Sequence, residues 1–263
     1  MKVLKALVLA LVLERCAIPA QAQEAKQIVQ EAVDTELAAD QNDHTCWIFH
    51  EVDRKPKNNV VQWVAQTHKG DVTRILARNN QQISKAQQKQ NINKFIDDSS
   101  AQAKQRQDSE NDDKQAASLL KLLPAAFVWT ETGRNGSTTT LHFKPDSHFH
   151  PPSRQARVFS AMEGDMTVNN DHHRIQELKG RLTHNVDFGL GLLGRLNQGG
   201  TFAVERQDTG EGEWQITATH VHIQGHALIF KSISEQEDDQ KTSFSREPDD
   251  VTMEQAASAI MNK

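Results

Sequence analysis

Twelve histidines are the first residues in this 263-residue chain whose type and spacing could do chemistry. Imidazole titrates near neutral pH and is the commonest metal ligand. His148-x-His150 flanks Phe149 in a proline-rich loop, and His172-His173 sits in a turn. His220-x-His222 places two imidazoles on one face of a strand. A metal triad would need a third ligand beside that last pair. With Gln224-Gly225 as a two-residue turn, Ile223 pairs with His226 and His222 with Ala227, which leaves His226 on the opposite face. The chain has no H-E-x-x-H sequence and no closely spaced cysteine pair. The histidines are therefore read as solvated or paired across strands, and no metal is expected.

Gly189-Leu190-Gly191-Leu192-Leu193-Gly194 has the G-x-G-x-x-G form. A dinucleotide site needs a strand before it and a helix growing from the third glycine. Gly199-Gly200 follow too soon for that helix, so the segment reads as an apolar turn and no cofactor is expected. There is no G-x-S-x-G elbow, no cysteine in a nucleophile context and no tyrosine. Nothing in the spacing of the carboxylates selects a catalytic pair. The acidic run Glu235–Asp239 reads as a solvated hairpin tip. The expectation is a non-enzymatic protein.

Residues 1–22 read as a secretory signal peptide. Lys2 and Lys5 supply positive charge, Ala6–Leu13 is an apolar run too short to span a membrane, and Ala20-Gln21-Ala22 is an A-x-A cleavage site after Pro19. Glu14-Arg15 before Cys16 argues against acylation of that cysteine. Cleavage after Ala22 would remove Lys2, Lys5 and Arg15 against Glu14 alone, taking the net charge from −5 to −7. That balance carries no nucleic-acid footprint. The remaining thiol, Cys46, cannot form an intrachain disulfide and sits in the apolar run Thr45-Cys46-Trp47-Ile48-Phe49. A periplasmic or secreted protein without a transmembrane segment is expected.

Residues 23–263 read as one α+β domain. A helix over 24–39 carries Ile28, Val29, Val33, Glu36 and Leu37 at 3–4 spacing. Strands over 46–52, 60–67 and 72–77 form a meander. Residues 79–123 then form a polar, glutamine-rich insert with helices near 84–98 and 106–123, capped at Ser84 and anchored by Leu119, Leu120, Leu122 and Leu123. A hairpin joins 125–131 to 137–144, and Arg157–Val168 reads as one strand, bent at Gly164, with Val158, Met162 and Met166 on one face. Further strands lie near 173–187, 201–208, 213–223, 226–235 and 240–246, before a helix over 249–261 capped by Asp250 or Thr252. About ten antiparallel strands in one sheet are expected to curl, which leaves a concave face.

The layout, with Leu141-His142-Phe143-Lys144-Pro145, Met162–Asn169 and Arg174–Gly180 at its centre, resembles the periplasmic lipoprotein-carrier superfamily (LolA/LolB-like). It also resembles secreted bacterial proteins of unknown role with the same order of elements. The resemblance implies a curled half-barrel with an apolar cavity, lined or gated by Val158, Met162, Met166, Leu190, Leu192 and Leu193. The ligand it implies is a lipid or the acyl chains of a lipoprotein. The competing expectation is a structural or protein–protein interaction module of the cell envelope with no ligand cavity. A connected apolar cavity of several hundred Å³ would separate the two.

Overall fold

The computed structural model of the chain describes residues 20–188, 194–210, 212–227 and 236–263. Helix α1 (Ala20–Asn42) leads into strands β1 (Cys46–Arg54), β2 (Val60–Ala65), β3 (Val72–Arg78) and the short β4 (Gln81–Gln82). The polar insert forms α2 (Lys85–Ile96) and α3 (Ser99–Leu120), followed by the single turn α4 (Leu123–Ala126). Ser84 caps α2 and Asp98 caps α3, each side chain accepting from a backbone N–H three residues on. Then come β5 (Phe127–Asn135), β6 (Thr138–Pro145), a 3-10 helix (Gln155–Ala161), β7 (Met162–Asn169), β8 (Arg174–Leu182), β9 (Val186–Phe188) and β10 (Gly194–Leu196). Strands β11 (Thr201–Asp208), β12 (Trp214–His222), β13 (Gly225–Ala227) and β14 (Gln236–Glu247) precede α5 (Met253–Met261). Thr252 and Gln255 form a capping box at the start of α5.

Eleven strands make one antiparallel sheet in the order β4-β3-β2-β1-β14-β12-β11-β8-β7-β6-β5. Strands β13, β10 and β9 form a separate small sheet. The curled half-barrel expected from the sequence is not formed. The large sheet is open, with β4 and β5 as distant edges, and the placement of the helices explains why. Over β5–β8 the helix α1 buries Val29 and Val33 against Trp129, Leu141, Phe143 and Met166. Over β1–β3 the helices α2 and α5 bury Ile92, Ala256 and Ile260 against Cys46, Ile48, Ala65 and Val72. Side chains alternate along a strand. Cys46 and Ile48 therefore face α5, while Trp47 and Phe49 point to the other side, where they meet Val64 and Phe244. The two helix groups thus cover opposite faces at opposite ends. A half-barrel needs one continuous concave face, and this sheet has none.

Three local expectations also change. Residues 155–161 coil into a 3-10 helix instead of extending β7, with Ser153 accepting from the Ala156 N–H at 3.0 Å. Val158 consequently leaves the strand face that carries Met166. Gln224-Gly225 is not a hairpin turn: β12 belongs to the large sheet, whereas β13 pairs with β10. Gly225 makes that switch possible, with φ of 155° and a position where a Cβ would lie 2.1 Å from the Arg195 carbonyl oxygen. Finally, β14 begins at Gln236, so Glu237–Asp239 belong to a central strand and Asp239 is only 8% exposed.

Candidate functional site

Helix α3 crosses the middle of the sheet. Its N-terminal half is pinned to the β2–β3 turn. The Gln105 side-chain Oε1 accepts from the Asp71 N–H at 2.7 Å, and Arg106 donates to the Lys69 backbone carbonyl at 2.6 Å. Its C-terminal half ends on the α1 cluster through Leu119 and Leu120. Its one buried residue, Gln102, precedes both anchors and donates to the Phe95 and Ile96 carbonyls at 2.9 and 2.8 Å. A cleft remains between α3, the C-terminal part of α1 and the sheet.

The cleft has two arms. The first holds about 490 Å³ and is lined by charged and aromatic groups, among them Arg174, Arg206, Lys241, Trp47, Phe49 and Trp214. The second holds about 380 Å³ and is mostly apolar, lined by Leu37, Ala116, Ala117, Leu120, Ile175, Leu178, Val204 and Ile216. Glu36, Asp40, Asp113, Arg206 and Ile216 are walls of both, so the arms adjoin. On α3 the residues Asp113, Ala116, Ala117 and Leu120 recur at 3–4 spacing, which is one helix face. Ile216 stands at the junction as one of two exposed large apolar side chains among the described residues.

A buried ion network holds the floor of the cleft. The Glu36 carboxylate accepts two hydrogen bonds from Arg174, both at 3.0 Å, one from the Ile175 N–H at 2.8 Å, and one from Arg206. The Arg174 guanidinium also lies 5.9 Å from the Trp214 ring centroid, and the Lys241 ammonium 5.4 Å from that of Phe49. Arg206 donates a further bond to the Trp214 carbonyl at 3.1 Å. Its Nε, and the Trp214 Nε1, are buried with no acceptor.

Three carboxyls, of which Asp113 lines the polar arm, are raised above the ordinary carboxylate value. Partial burial raises Asp113, with Asp40, Asp112 and Glu110 adding to it. Burial raises Asp71 to about 6, against the opposing pull of Lys241. Burial likewise raises Asp239 to about 6. Asp239 lies directly opposite Asp53 on β1, and Oδ1 of each lacks a hydrogen-bond partner. A carboxyl whose folded pKa lies above its unfolded one binds its proton more readily in the folded chain. Its contribution therefore falls as pH rises from 3.8 to about 6. Asp239→Asn should accordingly be more stable than wild type at pH 8, by about 1–2 kcal/mol, with the difference shrinking towards pH 4. Urea unfolding at both pH values measures this, and a variant weaker than wild type at pH 8 would refute it.

The histidines singled out in the sequence lie elsewhere. His220 Nδ1 and His222 Nε2 both meet Asp238 Oδ1, at 2.7 and 2.9 Å, and these bonds lower the Asp238 carboxyl. His142 Nδ1 meets Asp165 at 2.9 Å. His148 and His150 are exposed. Among the described residues no three His, Cys, Asp or Glu side chains converge as metal ligands. Cys46 is a buried free thiol whose pKa burial raises, so it is a poor nucleophile. Gly194 opens a strand, not the helix a dinucleotide fingerprint requires.

Of the residues proposed to line a cavity, Met166 is fully buried in the α1 cluster. Val158 and Met162 are half-buried between that cluster and the one formed by Leu182, Val186 and Phe188. None of the three lines either arm of the cleft. Leu190, Leu192 and Leu193 lie outside the described residues.

The sequence matches no protein-family model and no curated protein. Among the described residues no helix is long and apolar enough to cross a membrane. The cleft therefore has to be interpreted from its own chemistry. Sequence reasoning found Glu36 and Leu37 on the α1 stripe, and Leu120 as an anchor. It missed Arg174, Arg206 and the Ala116-Ala117 pair, although alanines at helical spacing to Leu120 in an otherwise polar helix were a usable signal.

Proposed function

We propose that this protein is a non-enzymatic binding protein, acting outside the cytoplasm, that holds a small amphiphilic molecule in the cleft beneath α3. The supporting observation is the joined pair of arms, one apolar and one polar, on either side of Glu36, Arg206 and Ile216. Ligand sites of a few hundred Å³ commonly combine apolar walls with a few placed polar groups. Each methylene transferred from water into the apolar arm contributes about 0.8 kcal/mol. A short alkyl chain there would cover the exposed Ile216. The extracytoplasmic location rests on Lys2, Lys5, the Ala6–Leu13 run and Ala20-Gln21-Ala22.

Isothermal titration of decan-1-ol into the protein tests the reading without presuming a head group. One saturable site per chain is expected. Heat that shows no saturation would leave the cleft as unused surface and favour the interaction-module alternative.

A further inference from the structure

We infer that the ligand of this cleft carries an anionic head group, a carboxylate on a short alkyl chain, read by the Nε of Arg206 and the Nε1 of Trp214. The inference rests on the amphiphile-binding reading above and names the chemistry of its polar end.

Both atoms are buried donors without an acceptor, and both belong to residues of the polar arm. They come from adjacent strands and from residues already joined, since Arg206 Nη2 donates to the Trp214 carbonyl. Trp214 is 7% exposed, so water has little access to its indole N–H. Buried donors are ordinarily paired, and an orphan is costly. Among the described residues, no acceptor atom of the polar arm is similarly orphaned. A ligand group that completes this wall must therefore accept hydrogen bonds.

The polar arm as a whole carries four carboxylates, Glu36, Asp40, Asp43 and Asp113, against Arg174, Arg206 and Lys241, so an anion is favoured only at the two open donors themselves. Glu36 is the nearest carboxylate, but its oxygens are already occupied by Arg174, Arg206 and the Ile175 N–H. Asp43 is engaged by the Thr45 N–H at 2.8 Å and by the Thr45 hydroxyl. Asp113 stands on α3, across the cleft from β11 and β12 that carry the two donors. The guanidinium of Arg206 keeps its full charge at any working pH and offers Nε as its open donor. A hydrogen bond between ionised partners is roughly twice as strong as one between neutral groups. The apolar arm begins at Arg206 and Ile216, so a carboxylate held here would direct its chain towards Leu178, Val204 and Ala117.

The test is a calorimetric head-group series on wild-type protein with ten-carbon chains: decanoate, decan-1-ol and decyltrimethylammonium. Decanoate should bind at least about tenfold more tightly than the alcohol, and the ammonium most weakly. Equal affinity for acid and alcohol, or preference for the ammonium, would overturn the head-group inference while leaving the cleft reading intact. Failure of all three to bind would overturn the cleft reading, and this inference with it. Trp214→Phe keeps a ring against Arg174 and removes the N–H. It should cost decanoate about tenfold in affinity and narrow the gap between decanoate and decan-1-ol. An undiminished preference for decanoate in a folded Trp214→Phe protein would remove Trp214 from the assignment.

Discussion

Glu36→Gln is expected to destabilise the protein by about 3–5 kcal/mol, a large share of the stability of an ordinary domain. The Glu36 side chain is 4% exposed and is the shared acceptor of Arg174, Arg206 and the Ile175 N–H. Glutamine preserves the shape, yet it removes the negative charge and turns an N–H₂ group towards a guanidinium. Arg174, 9% exposed at its side chain, would be left as a buried cation facing a neutral amide. Breaking a buried ion pair by removing one partner is costly because the other charge stays buried. The network also ties α1 to β8 and β11, so its loss should loosen the floor of the cleft. Urea unfolding measures the effect, and a loss below about 1 kcal/mol would show that water already shares the site.

Gly164→Ala should be nearly as damaging, at about 3 kcal/mol or more, for a steric reason. Gly164 on β7 lies directly opposite Gly180 on β8. A Cβ at Gly164 would sit 2.0 Å from the Lys179 carbonyl oxygen and 2.5 Å from the Gly180 Cα, both backbone atoms that cannot rotate away. The Phe202 ring in turn lies 3.0 Å from where a Gly180 Cβ would be. The glycine pair therefore lets two strands approach closely and leaves room for Phe202 on the α1 side. Gly136→Ala is the control, because nothing lies within 4 Å of its Cβ position. It should change stability by less than about 0.5 kcal/mol. Equal thermal midpoints for the two variants would contradict the close-approach argument.

Local structure was legible where one segment decides its own conformation. The 3–4 stripe of α1, the Ser84 cap, the polar insert and the meander of β1–β3 all follow from nearby residues. Long-range arrangement was not. Eleven strands could curl or stay open, and the choice depends on α1 and α5 covering opposite faces, which no local pattern encodes. The same limit applies to the site. Glu36 stands at the 3–4 spacing of the α1 stripe, but its partners Arg174 and Arg206 lie 138 and 170 residues away, so nothing local marks it as a buried acid. The loop-like run Pro151-Pro152-Ser153 concealed a 3-10 helix, because period-2 alternation in 157–168 mimics a strand. Asp239, in an acidic run that looks solvated, is buried by strand pairing with Asp53 and Thr219.

The central claim is that the apolar arm under α3 is a ligand cavity, and Ala117→Trp tests it most directly. Ala117 faces that arm from an exposed helix, so an indole can fill the space while the sheet and its ion network stay untouched. Decan-1-ol titrated into wild-type and Ala117→Trp protein should bind the first and lose at least tenfold in affinity for the second, with unfolding midpoints unchanged. Equal binding to both proteins would place the ligand elsewhere and contradict the account.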